Sequence, residues 1–293
     1  MIGIRSKTER YCTVYCTKGR ITLTGKEIRL NRLFSENNNA VVVAIDHGMF
    51  DGPIPGMIDL PEVVKKIDSG VSAVLLSAGM LSHCGHAFDY KGAPMVMVRT
   101  NWSSHFVFHW GYNAGISVGA ISIVDAVAAG ADLIITCLPL KTGSEAVDSS
   151  NVELFCQTVS EARALGIPVV GEVFPTEPAV LSAEEMHNIV LTGCRIAAEL
   201  GADLIKTFYT KSFRDVVAGC PVPILGLGAE KTPKQIQALE LAERIVQDGG
   251  KGVVFGRNAI QVANPTAFQQ ALCAVVQRGM SAADAVKQYG LQE

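Results

Sequence analysis

The sequence predicts a single (βα)8 barrel, an α/β fold of eight parallel strands with crossover helices, preceded by an N-terminal extension over residues 1–39. Three observations carry that prediction. A short apolar run, a polar or glycine-containing stretch and a longer helical pattern ending near Gly recur about eight times along the 293 residues. Most of the apolar runs are continuous rather than alternating, as in strands covered on both faces. No linker or low-complexity tract divides residues 40–293, so they form one domain of a length that one barrel uses.

The strand candidates, in order, are Val41 to Ile45, Ala73 to Leu76, Met95 to Val98, Leu133 to Thr136, Val169 to Glu172, Leu204 to Thr207, Val222 to Leu225 and Val253 to Phe255. Between them the helices carry start signals. Asp59 with Glu62, and Ser182 with Glu185, have capping-box spacing. Thr232 before Pro233 and Asn264 before Pro265 put a capping side chain ahead of a proline whose missing N–H costs nothing in a first turn. Met186, Ile189, Val190, Ala197 and Leu200 give one helix an apolar face, and Gly166, Gly201 and Gly249 end helices ahead of the next strand.

Two segments stand outside the repeat. Residues 1–39 contain an extended piece at Arg20 to Thr24 before a short helix, suited to cap the barrel bottom or to pack on a neighbouring subunit. Thr100 to Ile121, with Trp102, His105, Phe106, His109, Trp110 and Tyr112, is too long for a simple connection, which makes it a candidate substrate lid or subunit contact.

Composition narrows the function classes. Hydrophobic residues at 48% with charged residues at 18% describe a chain that buries a core. A net charge of -3 supplies no broad basic field, so nucleic acid is not an expected partner. No stretch reaches a membrane-span length and the first residues lack a signal-peptide core, so the expectation is a cytoplasmic protein. The eight cysteines are scattered, several inside apolar runs, as reduced thiols would be. Cys12 and Cys16 lie close together, but no second pair with ligand spacing follows and no zinc site is expected.

Barrel enzymes carry their chemistry at the C-terminal strand ends. There the sequence offers Asp46 and His47 after strand one, Lys141, Gly143 and Glu145 after strand four, Glu172 on strand five and Lys206 on strand six. Lys206 is the most informative, because it interrupts an otherwise apolar strand. Burial disfavours the ammonium form of a lysine, and a neutral amine can attack a carbonyl. The bland alternatives are a lysine that snorkels outward or pairs with Glu172. Asp46 suits a general acid or base, and His47 either a proton acceptor or a structural hydrogen bond. Asp46, His47, Glu145 and Glu172 are spread over three strands without any recognised ligand spacing, so no metal is expected. Gly226, Gly228, Gly256 and Arg257 follow strands seven and eight, where this fold commonly holds phosphate.

From Val41 to about Gly290 the chain resembles the class I Schiff-base aldolases of the archaeal-type fructose-bisphosphate aldolase group, with its strongest likeness to members that process phosphorylated autoinducer-2. The densest matches are Ala44 to Gly48, Ile205 to Thr207 with Tyr209, Ala218 to Ile224 and Phe255 to Gln261. The resemblance implies a Schiff-base lysine at Lys206, an acid/base aspartate at Asp46, phosphate binding by Gly228, Gly256 and Arg257, and a homo-oligomer. One position departs from the pattern. Where fructose-bisphosphate aldolases of this type carry a tyrosine acid before a proline, Phe174 precedes Pro175. A phenyl ring transfers no proton, which leaves three expected routes. These are an aldol reaction with Glu172 or His47 supplying the proton, acyl transfer from a phosphorylated diketone to coenzyme A, and a transaldolase-type transfer. The expected partner is a small phosphorylated carbonyl compound, with no other cofactor.

Overall fold

The computed structural model describes residues 15–17, 20–22, 24–34 and 36–291; Cys12 lies outside the described residues. Eight parallel strands close into a barrel: β1 (Ala40–Ala44), β2 (Ala73–Ser77), β3 (Met95–Arg99), β4 (Leu133–Cys137), β5 (Val169–Val173), β6 (Leu204–Thr207), β7 (Ile224–Leu227) and β8 (Gly252–Phe255). Each pairs with its chain neighbours, and β8 closes on β1 with Val253 opposite Val41. The expected barrel is thus present, with helices covering its outer face.

The continuous apolar runs serve two cores at once, because alternate residues point to opposite faces of a strand. Val41, Val43, Val74, Val96, Val98 and Ile134 face the helix layer. Val42, Ala44, Leu75, Met95, Met97, Leu133, Ile135, Val170, Leu204, Leu225 and Val254 fill the barrel interior. Leu33, from the helix Gly25–Leu33, is buried in that interior core, with Leu30 and Phe34 packed against it. A Thr24 and Glu27 capping box starts this helix, and Lys26–Asp203 and Arg32–Asp132 ion pairs tie it to the barrel.

Three details differ from the sequence reading. Strand seven starts at Ile224 rather than Val222, because Pro223 has no N–H for the ladder and contributes only its carbonyl, which accepts from the Ile205 amide at 2.9 Å. Thr232 does not cap a helix. The helix runs Gln235–Gln247, while the Thr232 amide donates to Asn258 Oδ1 at 2.8 Å and its hydroxyl to the Lys234 carbonyl at 2.8 Å. Residues 101–119 form a built hairpin, with Asn101–Ser103 antiparallel to Ser117–Gly119. Buried Asn101 donates to the Cys137 carbonyl and accepts from the Cys137 amide, both at 2.9 Å, and Asn151 Oδ1 accepts from the Ser117 amide at 3.0 Å. The Ser182 and Asn264 caps form at the positions their spacing indicates.

Candidate active site

The period-two rule that fills the barrel also builds its mouth. One step beyond the apolar inward residues Ala44, Met97, Ile135, Val170 and Leu204 come Asp46, Arg99, Cys137, Glu172 and Lys206. Ladder pairing sets Lys206 beside Glu172 and Glu172 beside Cys137. The charged members form an alternating row. Arg99 Nε donates to Asp46 Oδ2 at 2.5 Å, Arg99 Nη1 lies 2.7 Å from Glu172 Oε2 in a charge contact without hydrogen-bond alignment, and Lys206 Nζ lies 2.5 Å from Glu172 Oε1. The Arg99 and Glu172 side chains are 2% and 1% exposed, whereas that of Lys206 keeps 11% of its surface open. Lys206 is therefore the outermost member of this buried series.

Two cations and two anions make the row neutral overall, which is how four charges tolerate burial. Burial alone raises Glu172, but Arg99 and Lys206 more than reverse that and hold it at about 2. Burial likewise raises Asp46, and Arg99, Lys206 and His47 bring it below its ordinary value. The two carboxylates push Arg99 up against the opposing effect of burial. Desolvation takes His47 and His105 down to about 4, so both rings are neutral at pH 7. Burial followed by Glu172 raises the Cys137 thiol well above its usual range, so it is no thiolate nucleophile.

His47 Nδ1 is buried without a hydrogen-bond partner, and the ring packs on Gly256 so closely that a Cβ there would come within 2.2 Å of His47 Cε1. Gly228 meets Phe255 and Asn258 in the same way, and Asn258 Nδ2 donates to the Gly228 and Glu230 carbonyls at 2.9 Å each. Arg257 donates to the Ala229 carbonyl at 3.1 Å and keeps a buried Nε unpartnered. Gly228, Gly256 and Arg257 thus form one linked turn at the ends of β7 and β8. Gly226 does not join it. As a residue of β7, it lies with its missing Cβ 2.4 Å from Ile245, where the helix Gln235–Gln247 packs on the barrel. Exposed Lys141 and Glu145 stay apart as well, at the entry of the helix Glu145–Leu165. Two clefts of about 220 and 430 Å³ open beside the β8 end rather than over Lys206, sharing Lys231, Gln261, Val262 and Ala263. Among the described residues, no three His, Cys, Asp or Glu gather as a metal site requires.

Arg99 escaped the sequence reading, although its signal matched that of Lys206: one charge ending a run of apolar strand residues. The sequence reading names Phe106 and Phe174 singly, but their clustering with Phe50 and Phe208 also escaped it. Phe50–Phe106, Phe106–Phe174 and Phe174–Phe208 ring centroids lie 4.7, 4.8 and 4.7 Å apart, and the Arg99 guanidinium sits 5.3 Å from both Phe50 and Phe106.

The family model for DeoC/LacD family aldolases matches residues 40–262, the barrel and its mouth. The chain belongs to the DeoC/LacD aldolase family. This aldolase is 32% identical over 274 residues to an uncharacterised aldolase of Saccharolobus solfataricus, covering 90% of this chain and 99% of the relative. It is 30% identical over 267 residues to a 3-hydroxy-5-phosphonooxypentane-2,4-dione thiolase of Escherichia coli, covering 90% and 87%. Its fold matches that of an archaeal fructose-1,6-bisphosphate aldolase whose catalytic lysine is covalently bound to the carbinolamine intermediate of its substrate. The TM-score is 0.72 and the identity 25%, with 85% of this chain and 98% of the other covered. Schiff-base aldolase chemistry is thus the family's setting for this enzyme, and no described helix is long and apolar enough to cross a membrane.

Proposed function

We propose that Lys206 forms an imine with the carbonyl of a small phosphorylated ketose or diketone, through which the enzyme makes or breaks a carbon–carbon bond. The observation that carries this is the position of Lys206: inward, at the barrel mouth, and the most accessible member of a neutral buried charge row. Once the ammonium has released its proton to solvent at the mouth, the nitrogen attacks the carbonyl carbon, the carbinolamine takes up a proton and loses water, and the resulting iminium accepts the electrons of the adjacent bond as it cleaves. Glu172, a carboxylate across the working range, positions Lys206 and balances the cationic imine. Neutral His47, with Nδ1 free, accepts the proton that the substrate hydroxyl releases, and Asp46 assists the proton transfers of carbinolamine formation. Gly228, Gly256 and Arg257 hold the phosphate.

The name of the E. coli relative and the phenyl ring at Phe174 favour a second outcome from the same imine, acyl transfer to coenzyme A. A homo-oligomer fits the exposed Phe108, Trp110, Tyr112 and Val118 of the hairpin region. Free thiols at the described cysteines Cys84, Cys137, Cys156, Cys194, Cys220 and Cys273 fit the cytoplasm.

Borohydride reduction in the presence of dihydroxyacetone phosphate, sugar phosphates or a phosphorylated diketone tests the proposal. The expected result is a stable adduct mass on the Lys206 peptide, lost in Lys206→Met and indifferent to chelators. An adduct that survives Lys206→Met, or none across the three substrate classes, overturns it.

A further inference from the structure

The charge row and the phosphate turn occupy only part of the barrel mouth. Over the rest stand Phe50, from the turn after β1, Phe106 from the hairpin, and Phe174 and Phe208, each one inward step beyond Glu172 and Lys206. Their contacts are continuous from Phe50 to Phe208, and Phe50, Phe174 and Phe208 remain only half-buried. The polar groups beside them are ion-paired or hydrogen-bonded to one another, although Arg99 Nη1 and Glu172 Oε2 face each other without hydrogen-bond alignment. Arg99 is taken by Asp46 and Glu172, and His105 Nδ1 by the Ser103 hydroxyl at 2.8 Å.

A polyhydroxylated chain laid on such a surface would lose water from each hydroxyl and find few groups to replace it. An alkyl or aryl chain would lose only unfavourable hydration and gain contact with the rings. We propose that the half of the substrate remote from its phosphate is apolar, the acceptor being an alkyl or aryl aldehyde rather than a sugar, and that it lodges against Phe50, Phe106, Phe174 and Phe208. The phosphate turn lies on β7 and β8, while this wall rises from the β1, β3, β5 and β6 ends, so Lys206 stands between a polar and an apolar half of the mouth. The inference rests on the imine role proposed for Lys206.

Two measurements separate the inference from that role. With dihydroxyacetone phosphate as donor, kcat/KM for bond formation is compared between butanal, benzaldehyde and erythrose, and borohydride trapping is run in parallel. The expected result is a preference for butanal and benzaldehyde of roughly tenfold or more, since one misplaced group in a pocket changes specificity on that order. Phe174→Leu, which stays apolar, keeps the preference, and Phe174→Asn erodes it while the adduct on Lys206 persists. Erythrose performing as well as butanal, with the adduct present, overturns the inference and leaves the imine role standing. Should no donor be trapped, the imine role fails. Saturation-transfer binding of benzyl alcohol against glycerol, which needs no imine, then decides the wall: preference for benzyl alcohol that is lost in Phe174→Asn sustains an apolar subsite, and equal binding removes it.

Discussion

Replacing Arg99 with methionine removes the cation between two buried carboxylates while keeping an unbranched side chain in the space. Lys206 still neutralises Glu172, at 2.5 Å, so Asp46, itself only 5% exposed, is the group left stranded when its guanidinium partner at 2.5 Å is gone. Breaking a buried pair by deleting one partner costs about 3–5 kcal/mol, because the remaining charge keeps its desolvation penalty. That is a large share of the ~5–15 kcal/mol that holds a domain folded. Urea unfolding at pH 7 should show the midpoint falling with the slope unchanged. Adding Asp46→Asn removes the stranded charge, so the double variant should recover a large part of the loss, a coupling that a double-mutant cycle measures. A loss below about 1 kcal/mol, the range of exposed ion pairs, would refute the buried-row account.

Acid stability should fall in two stages. His105 titrates at about 4 in the fold against 6.5 unfolded, so its contribution is complete above 6.5 and lost as pH falls toward 4; Glu172, at about 2 against 4.5, adds a loss between 4.5 and 2, and Glu172→Gln should remove that lower stage from unfolding measured across pH. Gly256→Ala drives a Cβ to 2.2 Å from His47 and 2.8 Å from the Ala44 carbonyl, so calorimetry should show about 1–3 kcal/mol of destabilisation and kcat should fall with the displaced His47. Asn101→Ala orphans the Cys137 amide and carbonyl, with an expected cost of about 1–3 kcal/mol and faster hydrogen exchange across residues 101–119, read by mass spectrometry.

The barrel was legible because parallel strands under helices need apolar residues on both faces, a pattern visible in Val41 to Ile45 or Leu204 to Ile205 without knowledge of neighbours. Lys206, Asp46 and Glu172 were legible for the converse reason, as charges interrupting or ending such runs. Arg99 obeyed the same rule, but strand three was read as ending at Val98, one residue short, which hid it. Gly226 was misplaced as a turn residue because the first ladder position depended on Pro223, which withholds a donor. The phenylalanine wall was out of reach for a different reason. Its members come from four separate connections, and only the closed barrel brings their rings within contact.

Below its mouth the barrel is packed with its own side chains, and the helix Gly25–Leu33 covers the far end with Leu33 set into that core. On the proposed imine role, whatever reacts at Lys206 comes and goes by the mouth alone, beside the phenylalanine rings. With a single approach, that proposal predicts ordered binding in a two-reactant synthesis, the partner of the lysine first and the second reactant after it.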